Sequence, residues 1–172
     1  GQSVNTSGGT SAATVTAEAA ATTGSFTGSA AGADEVLLAN STYTAAASFI
    51  GGTQAGIADQ LSAAAGSIAL NIAAATVSGF EVLDLGNSAA VYNVTMTPTQ
   101  LAQFTGTNVI NGTDDVVTMS TTGTITGQPV LLNYALANGT AGNTFTANDS
   151  ALSISVTGGN ANSIYNMGTR LD

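Results

Sequence analysis

A chain of 172 residues is long enough to form one domain with a substantial core, and 44% of its residues are hydrophobic, yet only 6% are charged, against about 25% in an ordinary domain. Ten acidic residues face a single basic residue, Arg170, which gives a net charge of −9, and His, Cys, Lys and Trp are absent. This composition argues against nucleic-acid binding, disulfides, thiolate metal sites and catalysis by His, Lys or Cys, and no apolar run is long enough for membrane insertion.

The N-terminal residues 1–32 are of low complexity and rich in Ala, Thr and Gly, and the weak alternation of residues 13–17 predicts one strand among them. We expect this segment to be an arm, either a linker between repeats or a donor strand that completes the sheet of a neighbouring copy. The linker is the favoured interpretation. Residues 33–172 are predicted to form a β-rich domain.

The first half of that domain contains three clear strand patterns and one ambiguous stretch. Strands are predicted over residues 35–38, 80–85 and 91–96, and the second has apolar residues on both faces, which predicts a strand covered on both sides. Residues 57–65 have helical spacing and residues 67–72 alternate, so a short helix followed by a strand is expected between the first two.

The sequence Thr97-Pro98-Thr99-Gln100 predicts the start of a helix. Thr is a good N-cap, Pro suits the first helical position, and Gln100 lies where a capping box needs it. A short helix through Phe104 is therefore expected, ended by Gly106. Strands are then predicted at residues 108–110, 116–119, 123–126, 130–132 and 152–156.

These elements together predict an all-β fold. Turns rich in Gly, Asn, Asp and Thr recur often, and long hairpin pairs with Asn-Gly loops such as Asn111-Gly112 are few, so we expect a β-solenoid or β-helix-like stack of short strands with one or two short helices. A β-sandwich is the close alternative. A faint internal echo, in which residues 32–37 resemble residues 112–117 and, less well, 148–152, places an acid at a turn just before a strand.

The stretch 77–127 contains a recognisable set of positions: Gly79, Phe80, Glu81, Leu83, Asp84, Leu85, Val94, Thr95, Met96, Ile110, Asn111, Gly112, Asp115 and Val117. With these positions it resembles a segment of giant secreted bacterial proteins, namely RTX-type adhesins and RTX-type S-layer proteins. The Ala/Thr/Gly/Ser-rich, Cys-free composition is similar to that of S-layer proteins as well, although the Ca²⁺-binding nonapeptide of RTX repeats is absent. The resemblance implies an extracellular or cell-surface location.

Four acidic residues in Gly/Asn-rich turns are candidate calcium ligands: Asp34, Asp114, Asp115 and Asp149. Calcium prefers oxygen ligands, and such turns also offer backbone carbonyls. The alternative, favoured for any single site, is that Asp occupies these turns because its side chain bonds local backbone amides.

Catalysis is not expected. The only chemistry open to this composition is a carboxylate pair of the glycosidase type, with Glu81 and Asp84, Asp114 and Asp115, or Asp34 and Glu35 as candidates. Adjacent residues of a strand point to opposite faces, and the aromatic platform that Trp supplies for sugars is missing. We therefore predict that the protein is not an enzyme.

The predicted function is that of an extracellular structural module that binds copies of itself to form a surface layer, a filament or a tandem adhesin array. Sheet edges without Lys favour such pairing. The alternative is an adhesin domain that binds carbohydrate or a host surface. An exposed cluster of Tyr43, Tyr92, Tyr134 and Tyr165 would favour the adhesin, and buried tyrosines would favour the structural module.

Overall fold

The computed structural model describes residues 3–17, 23–39, 41–52, 58–64, 69–85, 93–106, 115–127, 133–147, 154–160 and 162–166. Its elements in chain order are β1 Ser3–Asn5, β2 Thr14–Ala17, β3 Ser25–Thr27, β4 Glu35–Leu38, β5 Ser41–Thr42, β6 Ser48–Ile50, β7 Gln60–Ala63, β8 Ala69–Asn71, β9 Thr76–Ser78, β10 Val82–Asp84, β11 Asn93–Met96, α1 Pro98–Ala102, β12 Val116–Met119, β13 Thr124–Thr126, β14 Asn133–Leu136, β15 Thr144–Thr146, β16 Ser155–Gly158 and β17 Ile164–Asn166.

The strands form parallel sheets in which each turn of the chain adds one strand beside the strand of the preceding turn. Sheet A has the order β1-β3-β6-β9, sheet B β2-β4-β7-β10, sheet C β5-β8-β11-β12-β14-β16 and sheet D β13-β15-β17. All strand pairs within the described segments are parallel. The fold is therefore a β-solenoid, as predicted, and the β-sandwich alternative is wrong because a sandwich is built from antiparallel sheets.

The helix α1 takes the place of a strand between sheets A and D. The side-chain amide of Gln100 donates to the carbonyls of Ile72 and Ala75, both at 2.9 Å, just before β9, while α1 also packs against β13. Sheets A and D consequently lie along one side of the solenoid, with α1 between them.

The predicted capping box of α1 is confirmed. The Thr97 hydroxyl accepts from the backbone N–H of Gln100 at 3.1 Å, and the Gln100 side-chain oxygen accepts from the backbone N–H of Thr97 at 2.8 Å. The helix ends at Ala102, slightly earlier than expected, because the N–H of Phe104 bonds the carbonyl of Leu101, three residues back, and tightens the last turn.

The helix predicted for residues 57–65 is wrong in its described part. Residues 60–63 form β7, in which Leu61 lies in register between Val36 of β4 and Leu83 of β10. Backbone pairing with two neighbouring strands overrides the helical spacing, because it satisfies the N–H and C=O groups on both edges. The following strand is confirmed at β8.

Most other strand predictions are confirmed. The predicted segments 13–17, 35–38, 80–85, 91–96, 116–119, 123–126 and 152–156 contain β2, β4, β10, β11, β12, β13 and the first residues of β16. Within β10, Leu83 is buried and its neighbours Val82 and Asp84 are half-buried, so both faces are at least partly covered. The predictions for residues 108–110 and 130–132 lie outside the described residues.

Three strands lie in the segment 1–32 that the sequence assigns to an arm. β1 pairs with β3, and β2 pairs with β4 in the register Val15 to Val36. These strands thus extend sheets A and B. The division of the chain into an arm and a domain at residue 32 stays a prediction.

The core is a set of columns in which inward-facing residues of successive strands stack on one another. In sheet A the column is Val4, Phe26, Phe49 and Val77; in sheet B it is Val15, Val36, Leu61 and Leu83; in sheet C it is Leu70, Val94, Val117, Tyr134 and Val156; in sheet D it is Ile125, Phe145 and Tyr165. Burial of each large apolar side chain stabilises the fold by about 1.5–3 kcal/mol. In the described part of the chain, α1 is too short to cross a membrane, and it is the only helix.

Candidate functional site

A column of carboxylates lies along sheet B at the end where its strands begin. Asp34, Asp59 and Glu81 directly precede β4, β7 and β10, and Ala13 precedes β2, so the strand register stacks these four residues. They are separated along the chain by 21, 25 and 22 residues. We call Ala13, Asp34, Asp59 and Glu81 the carboxylate ladder.

Each acid of the ladder accepts a hydrogen bond from the backbone of the residue stacked before it. An Asp34 oxygen accepts from the N–H of Ala13 at 2.8 Å, an Asp59 oxygen from the N–H of Asp34 at 2.7 Å, and a Glu81 oxygen from the N–H of Asp59 at 2.9 Å. Backbone-to-backbone bonds have the opposite direction, from the later coil to the earlier one; for example, the N–H of Glu35 donates to the carbonyl of Ala13. Every rung is therefore held by two kinds of bond.

The second oxygens of the two aspartates hold the corners that follow sheet A. The N–H of Ser29 donates to Asp34 at 2.5 Å, and the N–H of Gly52 donates to Asp59. Gly51, beside that corner, is packed so closely that a Cβ there would overlap the backbone oxygen of Gly79. The carboxylates thus satisfy backbone donors that the corner geometry leaves without a strand partner.

The ladder places carboxyl groups in the protein interior, and the described residues include no basic side chain. Asp34 and Asp59 are each 1% exposed, and the sole basic residue of the sequence, Arg170, lies outside the described residues. Burial raises the pKa of Asp59 above its ordinary value; the N–H bonds from Asp34 and Gly52 lower it in part, and the nearby charges of Asp34 and Glu81 raise it further. Backbone N–H groups are therefore the partners that make these buried carboxylates tolerable.

A second ladder on the side formed by sheet D uses neutral side chains for the same purpose. Gly123, Asn143 and Ser163 precede β13, β15 and β17. The Asn143 oxygen accepts from the N–H of Gly123 at 3.3 Å, and the Ser163 hydroxyl accepts from the N–H of Asn143 at 3.1 Å. The Asn143 amide also donates to the carbonyl of Ala137 at 2.8 Å, so the same structural solution works without charge.

The outer face of sheet B carries a polar cluster formed by Glu35, Gln60, Ser62 and Asp84. The Gln60 amide donates to Glu35 at 3.2 Å and to Asp84 at 2.9 Å, and the Ser62 hydroxyl donates to Glu35 at 2.7 Å. Two carboxylates from different coils are thereby bridged by one amide. The sequence did not predict this pairing, because Glu35 and Asp84 become neighbours only through the stacking of β4, β7 and β10.

Comparisons of the chain with protein-family models, with curated proteins and with solved structures find no match. The functional argument for this chain therefore depends on its own geometry. The resemblance of residues 77–127 to RTX-type proteins stays a prediction.

The structure separates the described candidates for calcium binding. Asp34 belongs to the carboxylate ladder of sheet B, whereas Asp115 is buried just before β12 in sheet C, where its backbone carbonyl accepts from the Asn133 amide at 2.9 Å. Asp114 and Asp149 lie outside the described residues. Within the segments that the structure describes, no group of three acidic residues is arranged to hold a metal ion. Calcium binding stays a prediction.

In the two carboxylate pairs that lie wholly within the described residues, the two members bond different groups. Asp34 bonds backbone N–H groups in the ladder, while its neighbour Glu35 bonds Gln60 and Ser62 on the outer face. Glu81 and Asp84 are divided in the same way. The pair Asp114 and Asp115 is described only at its second residue.

The described tyrosines are mostly part of the core. Tyr43 is 0% and Tyr134 1% exposed, and each packs edge-to-face on a phenylalanine, with ring centroids 5.3 Å from Phe49 and 5.0 Å from Phe145 respectively. Burial raises the pKa of Tyr43 to about 12. Tyr165, at 43% exposure, is a surface residue, and Tyr92 lies outside the described residues.

Proposed function

We propose that this chain is an extracellular structural module whose solenoid associates with other copies into a surface layer, a filament or a tandem array. The observation that carries the proposal is a solenoid of short strands in a chain that contains no Lys. Lysine is the residue that most often blunts the edges of sheets against pairing with other chains.

The use of the acidic side chains supports a structural role. Asp34, Asp59 and Glu81 hold backbone N–H groups, and Glu35 and Asp84 are bridged by Gln60. Groups that would carry substrate chemistry in an enzyme instead connect one coil to the next. This arrangement supports the expectation that the protein is not an enzyme.

The burial of Tyr43 and Tyr134 favours the structural module over the adhesin domain. An exposed cluster of tyrosines would favour an adhesin that binds glycans or a host surface, and Tyr165 alone among the described tyrosines is accessible. The extracellular or cell-surface location is supported by the resemblance of residues 77–127 to RTX-type adhesins and S-layer proteins, in which tandem repeats and lattices are the usual arrangements.

The proposal is tested by negative-stain electron microscopy and sedimentation velocity of the purified chain over a range of concentrations, in millimolar Ca²⁺ and in EGTA. Ordered filaments or sheets are expected. Their dissolution in EGTA would support calcium binding by the turn aspartates. A monomer at every concentration in both buffers would contradict the proposed function and move the search to glycan binding.

A further inference from the structure

We propose that the outward side of sheets A and D binds ice. Each strand of these sheets has three residues, of which the middle one faces the core and the first and third face outward. We call these outward residues the hydroxyl face, because all of them are Ser or Thr except Asn5, Ile50, Ile164 and Asn166. Ice binding is separate from self-association and does not require it.

The hydroxyl face is regular in two directions. In sheet A, Ser25 lies beside Ser48, and Ser48 lies beside Thr76. In sheet D, Thr126 lies beside Thr146. Neighbouring strands are about 4.8 Å apart, and alternate residues of one strand are about 6.6 Å apart. Each sheet therefore presents its outward side chains at the points of a nearly rectangular grid.

The two spacings of this grid are close to spacings of the ice lattice. Hydrogen-bonded water oxygens lie about 2.75 Å apart. In a tetrahedral network with that bond length, oxygens that share a neighbour are about 4.5 Å apart, and the stacked layers repeat at about 7.3 Å. The grid therefore agrees with the lattice to within about a tenth in both directions.

Threonine presents the groups that such a lattice needs. Its hydroxyl both donates to and accepts from water, as a water molecule in ice does, and its methyl group restricts the orientations of the water beside it. Branching at Cβ limits rotation about χ1, so the side chain loses little entropy on binding. Thr124 and Thr126 are exposed, and Thr144 and Thr146 are partly exposed, so water reaches all four.

The other two faces are less suited to ice. The outward residues of sheet B include Glu35 and Asp84, and a carboxylate would have to give up its hydration shell to meet a neutral lattice, which is costly. In sheet C, the Thr118 hydroxyl donates to Asn93 at 2.8 Å, so it is already used within the protein. The hydroxyl face carries no ionisable residue.

The composition of the hydroxyl face also favours ice over other occupants. A glycan is usually bound on aromatic rings, and the outward positions of these seven strands include none. A second copy stacked face to face would need an apolar interface, and Ile50 and Ile164 are the only large apolar residues among the outward positions of these strands. Ordered water fits a surface that is polar, neutral and evenly spaced.

The test is thermal hysteresis of the full chain, which is the gap between the melting and freezing temperatures of a single ice crystal in the protein solution. The wild type should open a gap that widens with protein concentration. Thr76→Tyr and Thr126→Tyr each raise a bulky ring from an exposed point of the grid and should lose most of that gap. Thr14→Tyr, the same change at the exposed outward position of β2 in sheet B, is the matched control and should keep it.

Circular dichroism of each variant checks that the fold is intact, and sedimentation velocity records self-association separately. A wild type without hysteresis at any concentration refutes ice binding and leaves the proposed self-association standing. Equal loss in Thr14→Tyr refutes the assignment to the hydroxyl face. If the wild type shows no hysteresis and the variants Thr76→Tyr and Thr126→Tyr no longer self-associate, the occupant of this face is a second copy and not ice.

Discussion

Replacing Asp59 with Asn tests whether the carboxylate ladder stabilises the solenoid. Both Asp59 oxygens accept backbone N–H bonds, one from Asp34 at 2.7 Å and one from Gly52, and the side chain is 1% exposed. Asn has nearly the same shape but only one acceptor oxygen. In the variant, either Asp34 or Gly52 must therefore direct its N–H at an amide NH₂ group.

The expected cost follows from these two bonds. Leaving one buried N–H without an acceptor costs about 1–3 kcal/mol. Removing a desolvated negative charge offsets part of this loss. We expect Asp59→Asn to lower the free energy of unfolding at pH 7 by about 1–2 kcal/mol.

The measurement is urea unfolding followed by far-ultraviolet circular dichroism and tyrosine fluorescence, with Asp84→Asn as the matched control. Asp84 loses the same charge, but its oxygen accepts from the flexible side chain of Gln60 on the half-buried outer face. The control should change the free energy of unfolding by less than about 1 kcal/mol. Equal stability of Asp59→Asn and the wild type would refute the argument that the ladder supports the fold.

The pH dependence of the stability difference between the wild type and Asp59→Asn gives a second check. Because burial raises the pKa of Asp59 above 3.8 in the folded state, its titration contributes stability that is complete below pH 3.8 and is lost as the pH rises through the folded pKa. The stability advantage of the wild type over Asp59→Asn should therefore shrink as the pH rises from 3 to 7. An advantage that grows with pH would contradict the direction of the shift.

Three further changes test other parts of the fold. Gln100→Glu would aim a carboxylate at two carbonyls, so urea unfolding should show a loss of about 3 kcal/mol or more. The control Thr99→Ala, on the exposed side of α1, should cost under about 1 kcal/mol. Gly51→Ala should lower the melting temperature, since its Cβ would overlap the next coil, while Gly8→Ala, with open space around it, should leave it unchanged; equal effects would refute the close packing. Tyr43→Phe should remove a loss of stability between pH 10 and pH 12. The Tyr43 pKa is raised from 10.0 to about 12, so the tyrosine contributes stability that is present below pH 10 and is lost as the phenol ionises. If the loss persists in the variant, with phenol ionisation followed by absorbance at 295 nm, it belongs to another group.

Local sequence signals predicted the elements whose cause is local. The capping box of α1 depends on Thr97 and Gln100, three residues apart, and needs no tertiary contact to be recognised. The four-residue strands β4 and β12 have two buried positions in alternation and were predicted from that pattern, whereas β14, with the same alternation, was not.

Three short strands, β3, β6 and β15, were missed because their pattern is brief: each has three residues and a single buried one. β8, β10 and β13 are equally short, but they lie within the longer predicted segments 67–72, 80–85 and 123–126. Each is stabilised as a strand by the strands stacked on either side, for example Phe49 between Phe26 and Val77. The strand β7, predicted as a helix, is likewise held as a strand by its neighbours β4 and β10.

Composition by itself determined that the acids of this protein could not be held by ion pairs, since ten acidic residues share one arginine. The pattern of short strands and frequent turns predicted an all-β chain. Only the tertiary structure decided which acids serve the fold, because Ala13, Asp34, Asp59 and Glu81 stack at unequal separations of 21, 25 and 22 residues that no fixed sequence period reveals. Stacking of parallel strands converts those unequal separations into one spatial column, in which a carboxylate of each coil receives the backbone N–H of the coil before it.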